Sequence, residues 1–314
     1  MNPQISIRTM AGGDIWPIVG LWNKCLPRDP INLSRFITTF LIDVNYDPVS
    51  GEGCYVAIKE NQIVGFIRAV IRRAPNDGLG FEESDGWISV LFVDPAYQRE
   101  GIGTTLLQQA EQFLIENKRS RVWVCGNTGS APGYVFPGVD QEAYAPALKF
   151  FIKHGYRIDH EPVSMSGPIV DFDEEKYRRE AYSTGQEVII EELSPEKVRP
   201  FLAFLAEHFK GDWNAAARQK LSTGRLNEVL IAWMDNQVVG YCQWEGEHFG
   251  PFGVREDIRG KKIGAKLFFE AVVRIRRADG RNVWFNWADE DAARFYKRFG
   301  LKETRKFAIL KKDL

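Results

Sequence analysis

The pattern of apolar and polar positions occurs twice along the chain. Each half begins with alternating apolar residues, at 5–10 and at 188–193. Each half then has two strand patterns joined by a tight polar turn, at 60–61 and at 235–236. Alternation interrupted by a short polar turn predicts a β-hairpin. A repeat of this size predicts two copies of one fold.

The third shared block is a strand that enters a helix through a glycine-containing loop. Residues 87–93 are almost continuously apolar, which is typical of a strand that is covered on both faces. The loop at 94–101 leads into a helix with Ile102 and Leu106 on one face. In the second half, residues 249–254 and the helix after them repeat this order.

Each half closes with a strand, a helix that ends at a glycine, and a final strand. The two helix-ending glycines are Gly155 and Gly300. Residues 166–187, between the halves, are rich in Gly, Pro and charge, which predicts a linker. We therefore expect an N-terminal domain at 1–168, a linker at 169–186 and a C-terminal domain at 187–314.

The N-terminal half is the longer copy. The spacing of matched residues gives it about 14 and about 16 extra residues, around 72–83 and 128–145. The first segment comes before the strand at 87–93, and the second comes after the strand that follows it. Loops on a rigid scaffold often carry binding and specificity. We expect both insertions to flank a ligand site in the first half.

Composition narrows the class of protein. Hydrophobic residues make up 44% of the 314 positions, which excludes a disordered or low-complexity chain. The 41 Lys and Arg balance the 42 Asp and Glu, and the net charge is −1. Without a global basic field, we expect no nucleic-acid partner. Composition assigns neither an oligomeric state nor a substrate.

The chain has no pattern typical of metal binding or of a membrane span. Its four cysteines are scattered, and its four histidines form no HxxxH pair. We expect no metal site and no disulfide framework. No apolar run approaches the ~20 residues needed to cross a bilayer. The segment that begins at Met1 lacks the basic stretch followed by an apolar stretch that is typical of a secretory signal. We expect a cytoplasmic protein without a membrane partner.

The loop between the third-block strand and its helix has the chemistry of a phosphate site. Gly101 and Gly103 permit a tight turn, and the helix start presents backbone N–H groups with the positive end of a helix dipole. A bare structural turn is the alternative interpretation. The loop is not GxGxxG and has no Walker Lys-Ser/Thr ending, which disfavours a dehydrogenase or a nucleotide triphosphatase.

These residues carry a resemblance to a known family. Val93-x-Pro95-x-Tyr97-Gln98-Arg99-x-Gly101-Ile102-Gly103 resembles the acyl-CoA-binding motif of the GNAT (general N-acetyltransferase) superfamily, Gln/Arg-x-x-Gly-x-Gly/Ala. A second family motif is similar to the run Asn286, Ala292, Phe295, Tyr296 and Gly300. Two copies cover nearly the whole chain, so the protein resembles a tandem GNAT protein. The implied fold is α/β (α+β): two tandem domains, each a mixed, mostly antiparallel sheet, splayed at its central strands and covered by helices.

The resemblance implies transfer of an acetyl group from acetyl-CoA to a primary amine of a small molecule or peptide, without a metal. The pyrophosphate is expected on the N–H groups of the loop, and the pantetheine beside the edge of residues 91–93. A backbone N–H near Phe92 or Val93 is expected to polarise the thioester carbonyl. The implied cofactor-binding residues are Leu91, Phe92, Val93, Gln98, Arg99, Glu100, Gly101, Ile102, Gly103, Thr104 and Asn127.

The second half offers a weaker copy of the same site. Lys262 stands where the first glycine of the motif belongs, and its side chain is expected either to block the approach of a ligand or to pair with a phosphate. The corresponding candidate residues are Gly253, Val254, Arg259, Gly260, Lys261, Lys262, Ile263, Gly264, Ala265 and Asn286.

Catalysis in this family implies a carboxylate or water that accepts the proton of the amine and, commonly, a tyrosine that protonates the departing thiolate. Phe151 aligns where that tyrosine belongs in the first half, whereas the second half keeps Tyr296. The first insertion offers Glu82, Glu83 and Asp85 as bases, and the second offers Tyr134 and Tyr144 as acids. We expect a catalytic N-terminal half and a degenerate, supporting C-terminal half. The alternative is a non-catalytic acyl-CoA-binding or regulatory protein.

Overall fold

The strands and helices follow the repeat in the sequence. The computed structural model describes residues 5–126, 131–183 and 187–314. The strands are β1 (Ser6–Thr9), β2 (Cys54–Lys59), β3 (Gln62–Ile71), β4 (Asp85–Val93), β5 (Arg121–Val124), β6 (Val139–Asp140), β7 (Arg157–His160), β8 (Val163–Pro168), β9 (Ile189–Glu192), β10 (Val229–Met234), β11 (Gln237–Glu245), β12 (His248–Val254), β13 (Asn282–Ala288) and β14 (Lys302–Asp313). The α-helices are α1 (Ile15–Cys25), α2 (Leu33–Phe36), α3 (Ile102–Glu116), α4 (Ala145–Lys153), α5 (Glu174–Ala181), α6 (Val198–His208), α7 (Asp212–Ser222), α8 (Ile263–Arg277) and α9 (Glu290–Lys297).

The chain divides into two compact units. Unit 1 consists of Met1–Asn76, Gly80–Glu161 and Phe307–Leu314, and unit 2 of Asp77–Leu79 and Pro162–Lys306. Each contains a sheet with helices on both faces, as the hydrophobic repeat requires.

The sheet of unit 1 has the strand order β1-β2-β3-β4-β5-β14, and β6 and β7 also pair with β14. Its β4–β5 pair is parallel and its other pairs are antiparallel. Helices α3 and α4 bury residues such as Leu106 and Phe151 on one face. Helices α1 and α2 bury Trp22 and Phe36 on the other. The sheet is therefore covered on both sides around its central strands.

The sheet of unit 2 repeats this plan with β9, β10, β11, β12 and β13, and β8 and the first part of β14 complete it. Here β12–β13 is the parallel pair, and the other pairs are antiparallel. Helices α8 and α9 cover one face around Phe268 and Tyr296, and α6 and α7 cover the other around Phe201 and Ala217. The expected fold class, two mixed and mostly antiparallel sheets covered by helices, is confirmed.

The units differ from the domain boundaries expected from the sequence. Strand β8 lies within the expected N-terminal domain of 1–168 but pairs with β13 in unit 2. The second part of β14, from Phe307, pairs with β5 and β7 in unit 1. The expected linker at 169–186 contains helix α5, whose Ala181 is buried in the core of unit 2. Of the first insertion, Asp77–Leu79 belongs to unit 2.

Over the described ranges, no helix is both long enough and apolar enough to span a membrane.

Candidate functional site

Strands β4 and β5 of unit 1 separate halfway along their length. They pair from Asp85↔Arg121 to Ile88↔Val124, and the N–H of Cys125 then donates to the carbonyl of Ile88 at 2.8 Å. In the described part of the chain, residues 89–93 of β4 have no strand partner on that side, although residues 90–93 stay paired with β3. The sheet is therefore splayed at its central strands, and we call this opening the fork of unit 1.

The backbone alternation decides which groups of β4 face the fork. The N–H of Asp94 donates to the carbonyl of Val64 on the β3 side at 2.8 Å. Because successive residues of a strand point their backbone groups to opposite edges, the N–H of Phe92 also faces β3. The N–H groups of Leu91 and Val93 face the fork. Of the two positions expected to polarise a bound carbonyl, Val93 has this geometry and Phe92 does not.

The loop after β4 is held by two side chains. The Nε2 of Gln98 donates back to the carbonyl of Val93 at 3.1 Å, and the thiol of Cys25 contacts the same oxygen at 3.5 Å. Asp94 accepts from the N–H of Ala96 at 2.9 Å and from Lys24 at 2.8 Å. Burial opposes the ionised form, but these two donors keep the pKa of Asp94 below its usual range. The turn is thus fixed before any ligand binds.

Helix α3 begins with backbone donors that no described side chain caps. Gly101 is left-handed (φ 85°), and a Cβ atom built there would meet no described atom within 4 Å. Across the described residues, no side chain caps the helix start. The first N–H groups of any α-helix have no partner within it. Here they face the exposed loop and carry the positive end of the helix dipole, which suits a phosphate.

Other loop residues have protein partners. The carboxylate of Glu100 accepts from Lys59, so it is not directed at a ligand phosphate. Thr104 Oγ1 lies 3.1 Å from Nε2 of His154, at the end of α4. His154 was not among the candidates because no spacing in the sequence connects it with this loop. Asn127 lies outside the described residues.

The second unit has the same backbone scaffold. The N–H of Arg255 donates to the carbonyl of Val239 at 2.9 Å, as Asp94 does to Val64 in unit 1. Arg259 Nε donates to the carbonyl of Val254 at 3.3 Å, which reproduces the bond of Gln98. Strand β12 pairs with β13 at one position, His248↔Trp284. The backbone thus forms a second fork, the fork of unit 2.

Lys262 occupies the left-handed position of Gly101, with φ 60°. Its Nζ donates to the carbonyl of Glu180 at 3.2 Å and to Ser183 Oγ at 2.6 Å. The ammonium is therefore fastened to the end of α5. Of the two expectations for this side chain, the geometry does not fit pairing with a phosphate.

Aromatic rings pack beside the fork of unit 2. Phe252 corresponds to Leu91, since each stands three residues before the matched residues Arg255 and Asp94. Its ring stacks on Phe295 with 5.8 Å between centroids and lies 3.0 Å from a Cβ built on Gly264. Tyr296 lies 4.4 Å from Phe285, and burial raises its pKa well above the usual value. Tyr296 is a core residue here, and its geometry does not fit the expected role of acid.

The remaining candidates of unit 2 lie in the turn, in the first turn of α8 or in the strands β12 and β13. Ile263 and Ala265 are buried in the first turn of α8, and Gly260 is left-handed with φ 83°. Asn286 is exposed, and its carbonyl accepts from Ser164 Oγ at 2.8 Å. Gly253 packs against Trp213 and Phe209, and Lys261 is half-buried.

The expected bases lie at the wrong end of β4. Asp85 is buried, accepts from Arg121 Nη2 at 2.9 Å and from Trp123 Nε1 at 3.1 Å, and stands at the first residue of the strand. Eight residues at about 3.3 Å each separate it from Val93 by about 26 Å. Glu83 is exposed two residues further away. The geometry therefore does not favour Glu83 or Asp85 as a base, and Asp85 forms an ion pair with Arg121.

The two expected acids of the second insertion differ. Tyr134 is half-buried, and its N–H donates to the carbonyl of Ala131 at 3.1 Å. Tyr144 directly precedes α4, and its hydroxyl donates to Asp29 Oδ2 at 2.7 Å. Asp29 was not among the candidates, and its position in a short Pro-Arg-Asp-Pro turn (27–30) is the only signal that the sequence offers.

Within the described ranges, no three His, Cys, Asp or Glu side chains gather into a group that would hold a metal ion.

Two family models match the chain. The model described as "Acetyltransferase (GNAT) family" matches residues 21–134, and that described as "Acetyltransferase (GNAT) domain" matches residues 189–308. A search of curated protein sequences finds no significant match.

Solved structures share the fold over the whole chain. The glucosamine N-acetyltransferase region of a fungal multi-domain β-N-acetylglucosaminidase is 18% identical, with a TM-score of 0.81 over 99% of this chain and 38% of that one. This chain therefore spans well under half of that protein. A GCN5-related N-acetyltransferase from Sphaerobacter thermophilus is 16% identical, with a TM-score of 0.71 over 100% and 97% of the two chains. A tandem GNAT protein from the clavulanic acid biosynthesis pathway is 14% identical, with a TM-score of 0.61 over 99% and 98%.

Proposed function

Since the chain belongs to the GNAT acetyltransferase family as a tandem two-domain member, we propose that it transfers the acetyl group of acetyl-CoA to a primary amine of a small molecule or peptide. This proposal rests on one observation. The fork of unit 1 opens directly beside a left-handed glycine turn and a helix start that no described side chain caps. Acetyl-CoA needs the open strand edge for its pantetheine arm and, directly beside it, the uncapped helix start for its pyrophosphate.

The fork of unit 1 offers donors for both parts of acetyl-CoA. The N–H groups at the start of α3, together with Arg99 and Thr104 nearby, suit the pyrophosphate. The N–H groups of Leu91 and Val93 face the opening and can hydrogen-bond the pantetheine amide and the thioester carbonyl. A donor aimed at the oxygen that becomes negative in the tetrahedral intermediate typically contributes a few kcal/mol to catalysis.

The amine then attacks the thioester carbon directly. The carbonyl oxygen becomes an oxyanion, and its collapse expels the CoA thiolate. A free amine has a pKa near ~10 and is mostly protonated at neutral pH, so a group in the site must remove a proton. The thiolate must in turn receive one.

We assign the reaction to unit 1. Phe252 and Phe295 stack across the region of unit 2 where unit 1 has Leu91, and a Cβ on Gly264 would already touch Phe252. A pantetheine arm would have to displace these rings. The fixed Lys262 adds a side chain where unit 1 has only the backbone of Gly101.

The experiment is thiol release from acetyl-CoA with a panel of amines. The panel contains glucosamine, which the fungal relative's name specifies, together with amino acids, polyamines and short peptides. The proposal predicts thiol release that requires one class of amine. Stabilisation by acetyl-CoA without thiol release from any amine favours the alternative, a protein that binds acyl-CoA without catalysis.

A further inference from the structure

A buried arginine lies on β3, next to the fork of unit 1. Arg68 is 1% exposed and pairs across the sheet with Val90 of β4. Its Nη2 donates to Asp43 Oδ2 at 2.8 Å, and its guanidinium lies over the ring of Phe40, 4.8 Å from the centroid. The buried ion pair carries no net charge, so an anionic group of a ligand gains little from Arg68.

The second insertion of unit 1 packs directly onto this arginine. A Cβ built on Gly133, which is left-handed with φ 62°, would lie 1.4 Å from Arg68 Nη1. The backbone of Gly133 is therefore in contact with the guanidinium. Ser89 Oγ joins the two segments, since it lies 3.5 Å from Arg68 Nη1 and 3.4 Å from the carbonyl of Pro132. Arg68 and Ser89 thus hold residues 131–134, which we call the insertion turn.

The insertion turn lies at the base of the fork of unit 1. Ser89, which it contacts, is the first residue of β4 after the last pair with β5, Ile88↔Val124. Phe136, two residues after the turn, packs against the cores on both faces of the sheet. A ring can reach both cores only where no strand separates them. The insertion therefore crosses the opening at the point where the strands part.

This point is within reach of the thioester that we place at the N–H groups of Leu91 and Val93. Ser89 precedes Leu91 by two residues, which is about 6.6 Å at 3.3 Å per residue. The pyrophosphate and the pantetheine arm take up the end of the fork at α3, so we expect the amine to approach from the opposite end. The insertion turn lies at that end and adjoins the position of the acetyl group.

At the two matched strand positions, unit 2 has neither an arginine nor a serine. In the paired registers of the two sheets, Gln243 corresponds to Arg68. By the same register, Gly250 corresponds to Ser89. Unit 2 also lacks the insertion, since Asp289 alone separates β13 from α9. The arginine and the serine therefore occur in the unit that carries the insertion turn, as expected if their role is to hold it.

We propose that Arg68 is a positioning residue for the acceptor amine, which holds the insertion turn in place as one wall of the acceptor pocket. The inference rests on the proposed acetyl transfer in unit 1. It assigns selection of the amine to the second insertion, whereas acetyl-CoA binds the open edge of β4 and the start of α3. Because Arg68 is buried beneath the turn, it acts through the turn and does not touch the reacting atoms.

The first test replaces Arg68 with the residue that unit 2 has at this position. In the full chain, Arg68→Gln should raise the KM of the panel amine that supports thiol release by about 10-fold or more, with a smaller change in kcat, because a displacement of about 1 Å in a site can cost about 10²-fold. The Kd of acetyl-CoA should stay unchanged. Amide hydrogen exchange should become faster at Tyr134, whose N–H donates to the carbonyl of Ala131 at 3.1 Å. If the single variant is unstable, adding Asp43→Asn removes the unpaired carboxylate.

Gly133→Ala tests the same contact from the side of the turn. Its methyl group would meet the guanidinium, so this variant should also raise the KM of the amine, and it leaves no buried charge unpaired. Combined with Arg68→Gln, it should cost less than the sum of the two effects, because both act on one contact. Gly224→Ala is the matched control: Gly224 is also left-handed (φ 74°), but a Cβ there would meet no described atom within 4 Å, so the KM should not change.

The outcomes separate the positioning role from the acetyl transfer. An unchanged KM in Arg68→Gln, with or without faster exchange at Tyr134, would overturn the positioning role and leave the acetyl transfer intact. An equal increase in KM in Gly224→Ala would do the same, since it would trace the effect to backbone strain. A wild-type chain that binds acetyl-CoA and acetylates no amine would overturn the proposed function and, with it, the acceptor pocket.

Discussion

A negative charge introduced at the phosphate loop of each unit in turn tests which unit binds acetyl-CoA. Gly101→Asp puts a carboxylate at the start of α3 in unit 1, and Lys262→Asp puts one at the matched position in unit 2. Asp tolerates the left-handed region better than most residues, and that region costs about 1–2 kcal/mol. A Cβ on Gly101 would meet no described atom within 4 Å, so the added side chain fits without a clash.

The expected loss of affinity follows from Coulomb repulsion with the pyrophosphate. Two like charges about 4 Å apart repel by about 1 kcal/mol in water and by about 4 kcal/mol at the effective dielectric of a protein surface. Every 1.4 kcal/mol is tenfold in affinity, so Gly101→Asp should raise the Kd of acetyl-CoA by about 5-fold to 10³-fold. Lys262→Asp should leave the Kd unchanged, because we assign acetyl-CoA binding to unit 1, whereas the stacked rings of Phe252 and Phe295 lie beside the fork of unit 2.

Isothermal titration calorimetry with acetyl-CoA measures both values, and chemical denaturation checks that each variant is folded. Because the repulsion is electrostatic and the loop is exposed, the effect of Gly101→Asp should shrink as salt increases. The reasoning is refuted if Lys262→Asp abolishes binding and Gly101→Asp does not. Two binding events per chain in the wild type would also refute the assignment to unit 1 alone.

Two further predictions concern the stability of unit 1. The hydrogen bond from Arg8 lowers the pKa of Asp14, so its stabilisation is present above the unfolded pKa of about 3.9 and is lost as pH falls through the lower folded value. Asp14→Asn should cost about 1–3 kcal/mol at pH 7, and in urea melts this cost should shrink as the pH falls below the unfolded pKa; a cost independent of pH would contradict the ion pair. Leu310→Ala, at a fully buried position in β14, should destabilise unit 1 by about 2–5 kcal/mol. Acetyl-CoA should raise the unfolding transition that Leu310→Ala lowers but not the one that Leu267→Ala lowers in unit 2; the opposite pattern would place binding in unit 2.

The local turn geometry was the part of the site that the sequence could predict. A glycine at position 101 indicates a left-handed residue. The matched residue Lys262 also adopts a positive φ, although it is not a glycine. The almost continuous apolar run of β4 likewise predicts a strand that is buried on both faces. These features depend on short stretches of chain, where steric rules act directly.

Features that depend on distant residues could not be predicted. Asp29 and Tyr144 are 115 residues apart, and nothing in either segment specifies the other. Asp85 was a candidate because the sequence places it at the start of β4 but does not show how far that end of the strand lies from the fork. Helix α5 was expected to be part of a linker because its sequence is mostly polar, and Ala181 is its only buried residue.

Strand β14 gives a physical reason for keeping a second unit even if only unit 1 binds acetyl-CoA. Strand β14 begins in unit 2, where Lys302–Lys306 pairs with β8, and ends in unit 1, where Leu310 pairs with Val124 of β5. Leu310 and Ile309 are fully buried in unit 1, and burying one such side chain contributes about 1.5–3 kcal/mol. Loss of a phosphate site in unit 2 leaves this strand unaffected, whereas loss of Pro162–Lys306 would detach Phe307–Leu314 of unit 1 from the chain that leads into it. The second copy can therefore lose its chemistry and still be required for folding.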